Sequence, residues 1–409
     1  MAESSPPTIS LIPFRDNPSS EAARRTVEQI EASLKKFGCV CIPSSDLDTD
    51  DEDGVRLLLR CYDAWGRFFA LPEASKMAYS EENAAKAGYG GSCYTPPGKE
   101  PRYKIGENQN VESFNCTEST ECSHIPGGAK VHNNLLPRVL GFRDANDSLW
   151  KVLKGQVARP FWGVLEQMLG LPRDFLSLRS AETSSLNMSL LRTLRYPARE
   201  SPQQSVDPQT EHNPKRRRST RNRVPSAPVE VGISEHTDFE VFSIMHQDTA
   251  GLHIHTPSRG PSPHWFQLPS RFDTLTIILG DMTELWSSGW LEATRHKVES
   301  PAYGQGPRRS MVLFQGHDDL VKVRPLGLAD LAAREGGPES RVEAVQHTLG
   351  HQESSGEEGV GEQRSPGSDS FAEWVQHRPK NARKKYRPTT QGAWIRKQEG
   401  VAKASLLAA

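Results

Sequence analysis

His236-Thr237-Asp238-Phe239-Glu240-Val241-Phe242-Ser243-Ile244-Met245-His246-Gln247-Asp248 is the stretch on which the reading of this chain turns. In an extended segment residues i and i+2 point the same way, so His236 and Asp238 can reach one ion while Thr237 faces away. A second imidazole must then come from a distant strand, and His296, in Arg295-His296-Lys297-Val298, is placed to supply it. Two imidazoles and one carboxylate cover one face of an octahedral metal and leave the other face open, a donor set that suits Fe(II). His246, His253, His255 and His264 are read as structural histidines outside this set.

The flanks repeat one pattern. In Gly251-Leu252-His253-Ile254-His255, Leu252 and Ile254 alternate with polar partners, as in a half-buried strand. Trp265-Phe266-Gln267-Leu268 is a further strand bounded by Pro263 and Pro269. Thr274 to Leu279 is β-branched and apolar and stops at the turn signal Gly280-Asp281. Glu284-Leu285-Trp286 and Gly289-Trp290 lead into His296, with Trp286 and Trp290 read as core or pocket wall. Arg308-Arg309-Ser310-Met311-Val312-Leu313-Phe314 gives one more apolar strand with a charged start. Many short strands between Gly and Pro turns predict a mainly β fold with a jelly-roll core.

The N-terminal part supplies helices to brace that core. Ile9 to Pro13 reads as a first strand. A helix follows from Ser20 to Phe37, with Ala23, Val27, Ile30, Leu34 and Phe37 on one face and Gly38 as its stop. Cys39 to Ile42 is a strand into the core. Val55 to Ala70 is a second helix, ending before Pro72, and Ser148 to Leu169 a third, kinked at Pro160.

The order H-T-D, Q-D, G-L, W, G-D-x-x-E-x-W, H-x-V and R-x-S resembles the isopenicillin N synthase-like branch of the Fe(II)/2-oxoglutarate-dependent dioxygenases. The resemblance extends to Phe37-Gly38-Cys39-Val40 and Phe68-Phe69-Ala70-Leu71-Pro72 with Lys76 and Gly88-Tyr89. It also takes in Leu194-Arg195-Tyr196-Pro197 and, at the far end, Thr389-Thr390-Gln391-Gly392. It implies a double-stranded β-helix core, Fe(II) held by His236, Asp238 and His296, and 2-oxoglutarate and O2 as co-substrates. It further implies an R-x-S anchor at Arg308 and Ser310 for the far carboxylate of 2-oxoglutarate, with a hydroxyl contact from Tyr196.

The anchor has its own logic, since a planar guanidinium offers a carboxylate two parallel hydrogen bonds, and Ser310 shares the face of Arg308 while Arg309 points away. The implied reaction is oxidation of a C–H bond in a small organic molecule, by hydroxylation, desaturation or ring closure, with succinate and CO2 as co-products. Two departures stand out. Leu194 occupies a position where many relatives carry Asn, which removes a co-substrate contact, and Ser300 to Pro307 is long between the histidine and the anchor.

Two other functions remain open at this level. One is a 2-oxoglutarate-independent iron oxidase of the same fold, in which the R-x-S pair grips the substrate's own anion. The other is a non-catalytic binding scaffold. The implied organisation is an N-terminal region over 8–125, a helical connection over 126–184, a jelly-roll core over 185–325 with a basic disordered insert over 199–230, and a linker and tail over 326–409.

With a formal net charge of −1, the whole chain gives no argument for nucleic acid or a membrane as partner. Hydrophobic residues are only 35% of the total, which fits polar insertions diluting one large domain. The first insertion holds Lys215-Arg216-Arg217-Arg218, Arg221 and Arg223, a disordered loop with the makings of a nuclear-import or polyanion-binding patch. The second, 333–372, is rich in Gly, Glu and Ser and reads as a flexible linker. Cysteines 39, 41, 61, 93, 116 and 122 all fall in the first third, outside the metal set, and read as reduced thiols of an intracellular, cytoplasmic monomer.

Overall fold

The structure, a computed structural model, describes residues 5–49, 52–86, 93–99, 107–116, 123–125, 129–131, 137, 139–177, 189–199, 229–258, 263–317, 321–327, 389–390 and 397. Gly88-Tyr89, Cys122, residues 200–228 of the basic insert and the 333–372 linker lie outside the described residues.

The first half runs α1 (Ile12–Asp16), α2 (Glu21–Phe37), β1 (Cys39–Pro43), α3 (Gly54–Phe69), α4 (Glu73–Met77), α5 (Glu81–Lys86) and β2 (Cys93–Thr95). It continues through β3 (Glu107–Gln109), β4 (Glu112–Cys116), β5 (Ser123–Ile125), β6 (Ala129–Val131), α6 (Phe142–Val152), α7 (Arg159–Met168) and β7 (Leu190–Tyr196). The second half is nearly all strand: β8 (Val229–Val231), β9 (Ile233–His236), β10 (Phe242–Gln247), β11 (Leu252–His255), β12 (Trp265–Gln267) and β13 (Thr274–Leu279). After the short α8 (Asp281–Trp286) come β14 (His296–Val298), β15 (Arg308–Gln315), β16 (Lys322–Val323) and β17 (Thr389–Thr390).

Two sheets face each other. The large one has the order β1-β13-β10-β15-β7-β4-β2 and the small one β12-β11-β14-β9, with every pairing in them antiparallel. Strand alternation divides the apolar residues between two cores. Val40, Ile42, Phe242, Ile244, Ile277 and Leu313 point from the large sheet into the core shared with α1, α2, α3, α6 and α7. Their neighbours Cys39, Cys41, Met245, Ile278 and Val312 face the other way and meet Leu252, Ile254 and Val298 of the small sheet. This is the jelly-roll arrangement expected from the strand pattern, with helices bracing the outer face of one sheet.

Local chemistry explains the main boundaries. The Ser20 hydroxyl caps α2 by accepting the Ala23 N–H, and Gly38 closes it at φ 77°, a left-handed position that glycine adopts without steric cost. Asp53 caps α3 in the same way through the Arg56 N–H. Lys76, part of the resemblance, serves the fold: its ammonium lies 2.6 Å from Glu112, whose carboxylate also takes Arg195 at 2.6 Å and the Tyr94 hydroxyl at 2.7 Å. The far-end motif docks as well, since Thr389-Thr390 pairs with Lys322-Val323.

Two expected elements differ. The first strand stops early: Ile9 donates to the Cys41 carbonyl at 2.8 Å, but Ile12–Asp16 is a helix with Pro13 in its first turn, where the missing N–H costs nothing. The helix expected over Ser148–Leu169 begins at Phe142, and its irregularity precedes Pro160. Leu153–Ala158 winds as a π-helix, a wider turn placed where proline cannot donate back to the carbonyl of Gln156.

Candidate active site

His236 ends β9 and His296 begins β14, and the antiparallel ladder sets the two directly opposite. Their ring centroids are 4.2 Å apart. Asp238 follows in the turn after β9, with Oδ1 at 3.7 Å from Nε2 of each histidine. One ligand atom from each of the three lies within 4.8 Å of the others.

Backbone carbonyls orient both rings. Nδ1 of His236 donates to Ser234 O at 2.8 Å and Nδ1 of His296 to Thr294 O at 2.9 Å. A carbonyl only accepts, so the proton sits on Nδ1 and each Nε2 keeps its lone pair for a metal. Burial, then the neighbouring His296, then a smaller push from Arg192 hold the His236 imidazole down at about 4, against the pull of Asp238, so it is neutral at physiological pH. Asp238 Oδ2 accepts a short hydrogen bond from the buried Ser243 hydroxyl of β10. The G-D motif has a steric reason: a Cβ on Gly280 would lie 2.2 Å from Glu240 O, and the Asp281 N–H binds Asp238 O at 2.8 Å.

Arg308 opens β15 and is 3% exposed. Its Nε donates to Thr249 O at 3.0 Å, one Nη to Gln247 Oε1 at 2.8 Å and the other to the Ser310 hydroxyl at 3.4 Å. Its guanidinium lies 4.6 Å from the ring centroid of Tyr196, its cross-strand partner. Among the described residues no carboxylate comes within salt-bridge distance, so a buried cation meets only neutral groups, an arrangement that calls for an anion. Arg309 points the other way, as strand alternation requires, and pairs with Asp248 at 2.8 Å. The Q-D pair thus splits its duties, Gln247 holding Arg308 and Asp248 holding Arg309. Gly251 completes the seat, because a Cβ there would lie 2.8 Å from Arg308 Nε.

These groups open into one cavity between the sheets, about 770 Å³ with its mouth. His236, Asp238, His296, Arg308, Ser310 and Tyr196 all line it. His246 also reaches the wall, but its Nε2–H donates to Phe272 O at 3.1 Å and its Nδ1 meets the Tyr62 hydroxyl at 2.9 Å, a structural arrangement. His253, His255 and His264 are not among the lining residues, and Trp286 and Trp290 belong to the helical core.

A family model described as the 2OG-Fe(II) oxygenase superfamily matches residues 200–317. A second, for the N-terminal region of non-haem dioxygenases in morphine synthesis, matches residues 7–129. The chain belongs to the 2OG-Fe(II) oxygenase superfamily. It is an oxidoreductase that works with Fe(II), 2-oxoglutarate and O2. The 2-oxoglutarate-dependent dioxygenase tropC of Talaromyces stipitatus is 23% identical over 84% of this chain and 94% of its own length. Clavatol oxidase claD of Penicillium crustosum is 24% identical over 78% of this chain and 88% of its own. Among solved structures, a full-length Neurospora crassa protein in complex with alpha-KG shares the fold at a TM-score of 0.57 and 17% identity, covering 85% of this chain and 98% of that one. The rice dioxygenase for auxin oxidation does so at 0.52 and 17%, over 84% and 95%.

The residues present fit the superfamily's needs. Two neutral imidazoles and a carboxylate, converging through Nε2 and Oδ1, form a donor set for Fe(II). The buried Arg308 fits a carboxylate. Leu194 stands opposite Ser310 across the β7–β15 ladder, so the wall at that point is apolar. Ser243 and Arg192 enter the site without having been singled out from sequence, and Gln247 and Gly251, quoted there within the Q-D and G-L motifs, take roles that the motifs did not assign. Arg192 had a signal: it lies two residues before Leu194 and four before Tyr196, on the same strand face. No helix among the described residues is long and apolar enough to cross a membrane. Cys39, Cys41, Cys61 and Cys116 are free and buried, and Cys93 is buried beside Asn115.

Proposed function

We propose that this superfamily member oxidises a C–H bond of a small organic molecule, with His236, Asp238 and His296 holding Fe(II) and Arg308, Ser310 and Tyr196 seating 2-oxoglutarate. The observation that carries the reading is a buried guanidinium, without a described carboxylate partner, facing the same cavity as three converging metal donors. We place the catalytic core in residues 185–325 and treat 8–125 as the N-terminal region that braces it.

Bound iron, with 2-oxoglutarate and O2, supplies the oxidising power that removes hydrogen from carbon, and succinate and CO2 leave as co-products. The chain's own residues supply geometry. Ser234 O and Thr294 O fix the imidazole tautomers, and Ser243 holds the free oxygen of Asp238. Gln247 and the Tyr196 ring aim the Arg308 guanidinium, and Ser310 adds a hydroxyl beside it. Leu194, Met245, Leu252, Val298 and Val312 line the wall between the two ends and keep water from the bound co-substrate. Hydroxylation, desaturation and ring closure share the hydrogen-abstraction step, and these residues serve all three alike.

The test is an anaerobic titration of the Fe(II)-loaded protein with 2-oxoglutarate, following the metal-to-ligand charge-transfer band. The band is expected in the wild type, at higher 2-oxoglutarate concentration in Arg308→Ala, and not at all in His236→Ala, which should still fold. Iron binding without a band would overturn the 2-oxoglutarate role and favour the oxidase in which Arg308 holds the substrate.

A further inference from the structure

The three metal donors come from two segments that the small sheet joins loosely. The β9–β14 ladder pairs His236 with His296 and Ile233 with Val298, and its register shifts between the two pairs. Such a bulge leaves the ladder disrupted beside the histidines. Asp238 lies past the end of β9, beyond the reach of that ladder.

A third element grips both segments. On one side, Gly280 N–H binds Val241 O at 2.9 Å, Asp281 N–H binds Asp238 O at 2.8 Å and Met282 N–H binds Glu240 O at 3.1 Å. The Thr283 hydroxyl adds a bond to Val241 O at 2.7 Å. These four bonds hold the turn that carries Asp238. On the other side, Glu284 Oε2 accepts the Ala293 N–H at 2.9 Å. Ala293 precedes Thr294, whose carbonyl accepts Nδ1–H of His296 at 2.9 Å and whose hydroxyl donates to Gly38 O at 2.6 Å. The two arms leave neighbouring residues of the six-residue α8.

The chain between α8 and His296 needs such a hold. It turns through Ser288 and Gly289 at φ 54° and 79°, a left-handed conformation that costs a serine energy and persists where the surroundings impose it. Glu284 imposes it twice, its carbonyl taking the Gly289 N–H at 2.7 Å and its carboxylate the Ala293 N–H. Resting on the Fe(II) reading above, we propose that α8 is a clasp for the metal site and that Glu284, the acid of the G-D-x-x-E-x-W run, is its positioning residue. Through Ala293 and Thr294 the Glu284 carboxylate sets the placement of His296 Nε2 relative to Asp238, without touching the metal itself.

Anaerobic calorimetry with Fe(II) alone tests this, with the visible bands of the Co(II)-loaded protein as a readout of ligand geometry. Glu284→Ala should raise the Fe(II) Kd about tenfold, the scale of losing a support behind a metal ligand, and shift the Co(II) bands. Glu284→Gln keeps an acceptor oxygen in place and should bind within about twofold of the wild type. Asn146→Ala controls for general loosening: it removes buried hydrogen bonds to Trp65 and Phe142 in the helical core and should leave the Kd unchanged. An unchanged Kd in Glu284→Ala overturns the proposal, as does an equal loss in Glu284→Gln or in Asn146→Ala. If Glu284→Ala does not fold, Thr283→Val opens the other arm of the clasp, and wild-type affinity there overturns the proposal equally. Fe(II) bound no better by the wild type than by His236→Ala would instead strike the metal reading, so the two failures are distinguishable.

Discussion

At the scale of single residues, the site depends on atoms that do not touch the reactants. Gly251 is one. A Cβ there would press on Nε and Cδ of Arg308, at 2.8 and 2.9 Å, and push the guanidinium off its bonds to Thr249 O and Gln247. Gly251→Ala should raise the Kd for 2-oxoglutarate about tenfold with iron affinity unchanged, as read from the anaerobic charge-transfer titration. An unchanged Kd would mean that Arg308 has room to move. Arg308 and Ser310, two apart in β15, were legible because strand alternation is a local rule, whereas His236 and Asp238 were legible from the same spacing although Asp238 lies in the turn after β9. Gly251, Gln247, Ser243 and Arg192 were not, because their roles arise across ladders. Arg192 meets Asn115 and Ser243 faces Phe314 only once the register is set, and one sequence does not disclose register.

At the scale of elements, the outer edge of the large sheet is organised around one carboxylate. Glu112 of β4 gathers Lys76 from α4, Tyr94 from β2 and Arg195 from β7, joining four elements through a group that is 1% exposed. Removing one partner of a buried ion pair leaves the other unpaired, so Glu112→Ala should cost about 3–5 kcal/mol. Denaturant unfolding would measure it, and a loss below about 1 kcal/mol would show that water replaces the carboxylate. Between β10 and the strap before β13, His246 donates to Phe272 O and takes the Tyr62 hydroxyl. Burial holds its imidazole at about 4 in the fold, against 6.5 for the free group. Between those values the unfolded chain binds the extra proton, so this stability is present above pH 6.5 and is lost as pH falls toward 4, about 3 kcal/mol at the bottom of the window. Glu240, raised to about 8 by burial and by Asp238, titrates in the opposite sense, so the informative quantity is a difference. The stability gap between the metal-free wild type and His246→Gln should narrow from pH 6.5 to 4.5, and a constant gap would remove His246 from the pH response. The helices and strands of this layer were mostly readable from spacing and caps. The π-helical stretch before Pro160 was not, because periodicity locates a helix without revealing an extra residue in one turn.

At the scale of the whole molecule, the two sheets divide the chemistry. The two histidines sit on the small sheet, with Asp238 in the turn leaving it, whereas Arg308 and Ser310 sit on the large one. The jelly-roll class was legible in the count and spacing of the strands, but which sheet would carry which group was not, since that follows from the folded strand order. Seated as proposed on the iron and on Arg308, a co-substrate would act as a removable rivet between the layers. In that arrangement iron alone would engage chiefly one layer, and 2-oxoglutarate without iron would have only its far end held. The rise in melting temperature with both present should therefore exceed the sum of the rises with each alone. At about a hundredfold excess over Kd, a ligand stabilises by roughly 2.7 kcal/mol, well within reach of a thermal scan. Strictly additive shifts would mean that the halves of the site are filled independently. Because the rivet spans the sandwich itself, melting reports occupancy of the co-substrate site without any substrate in hand.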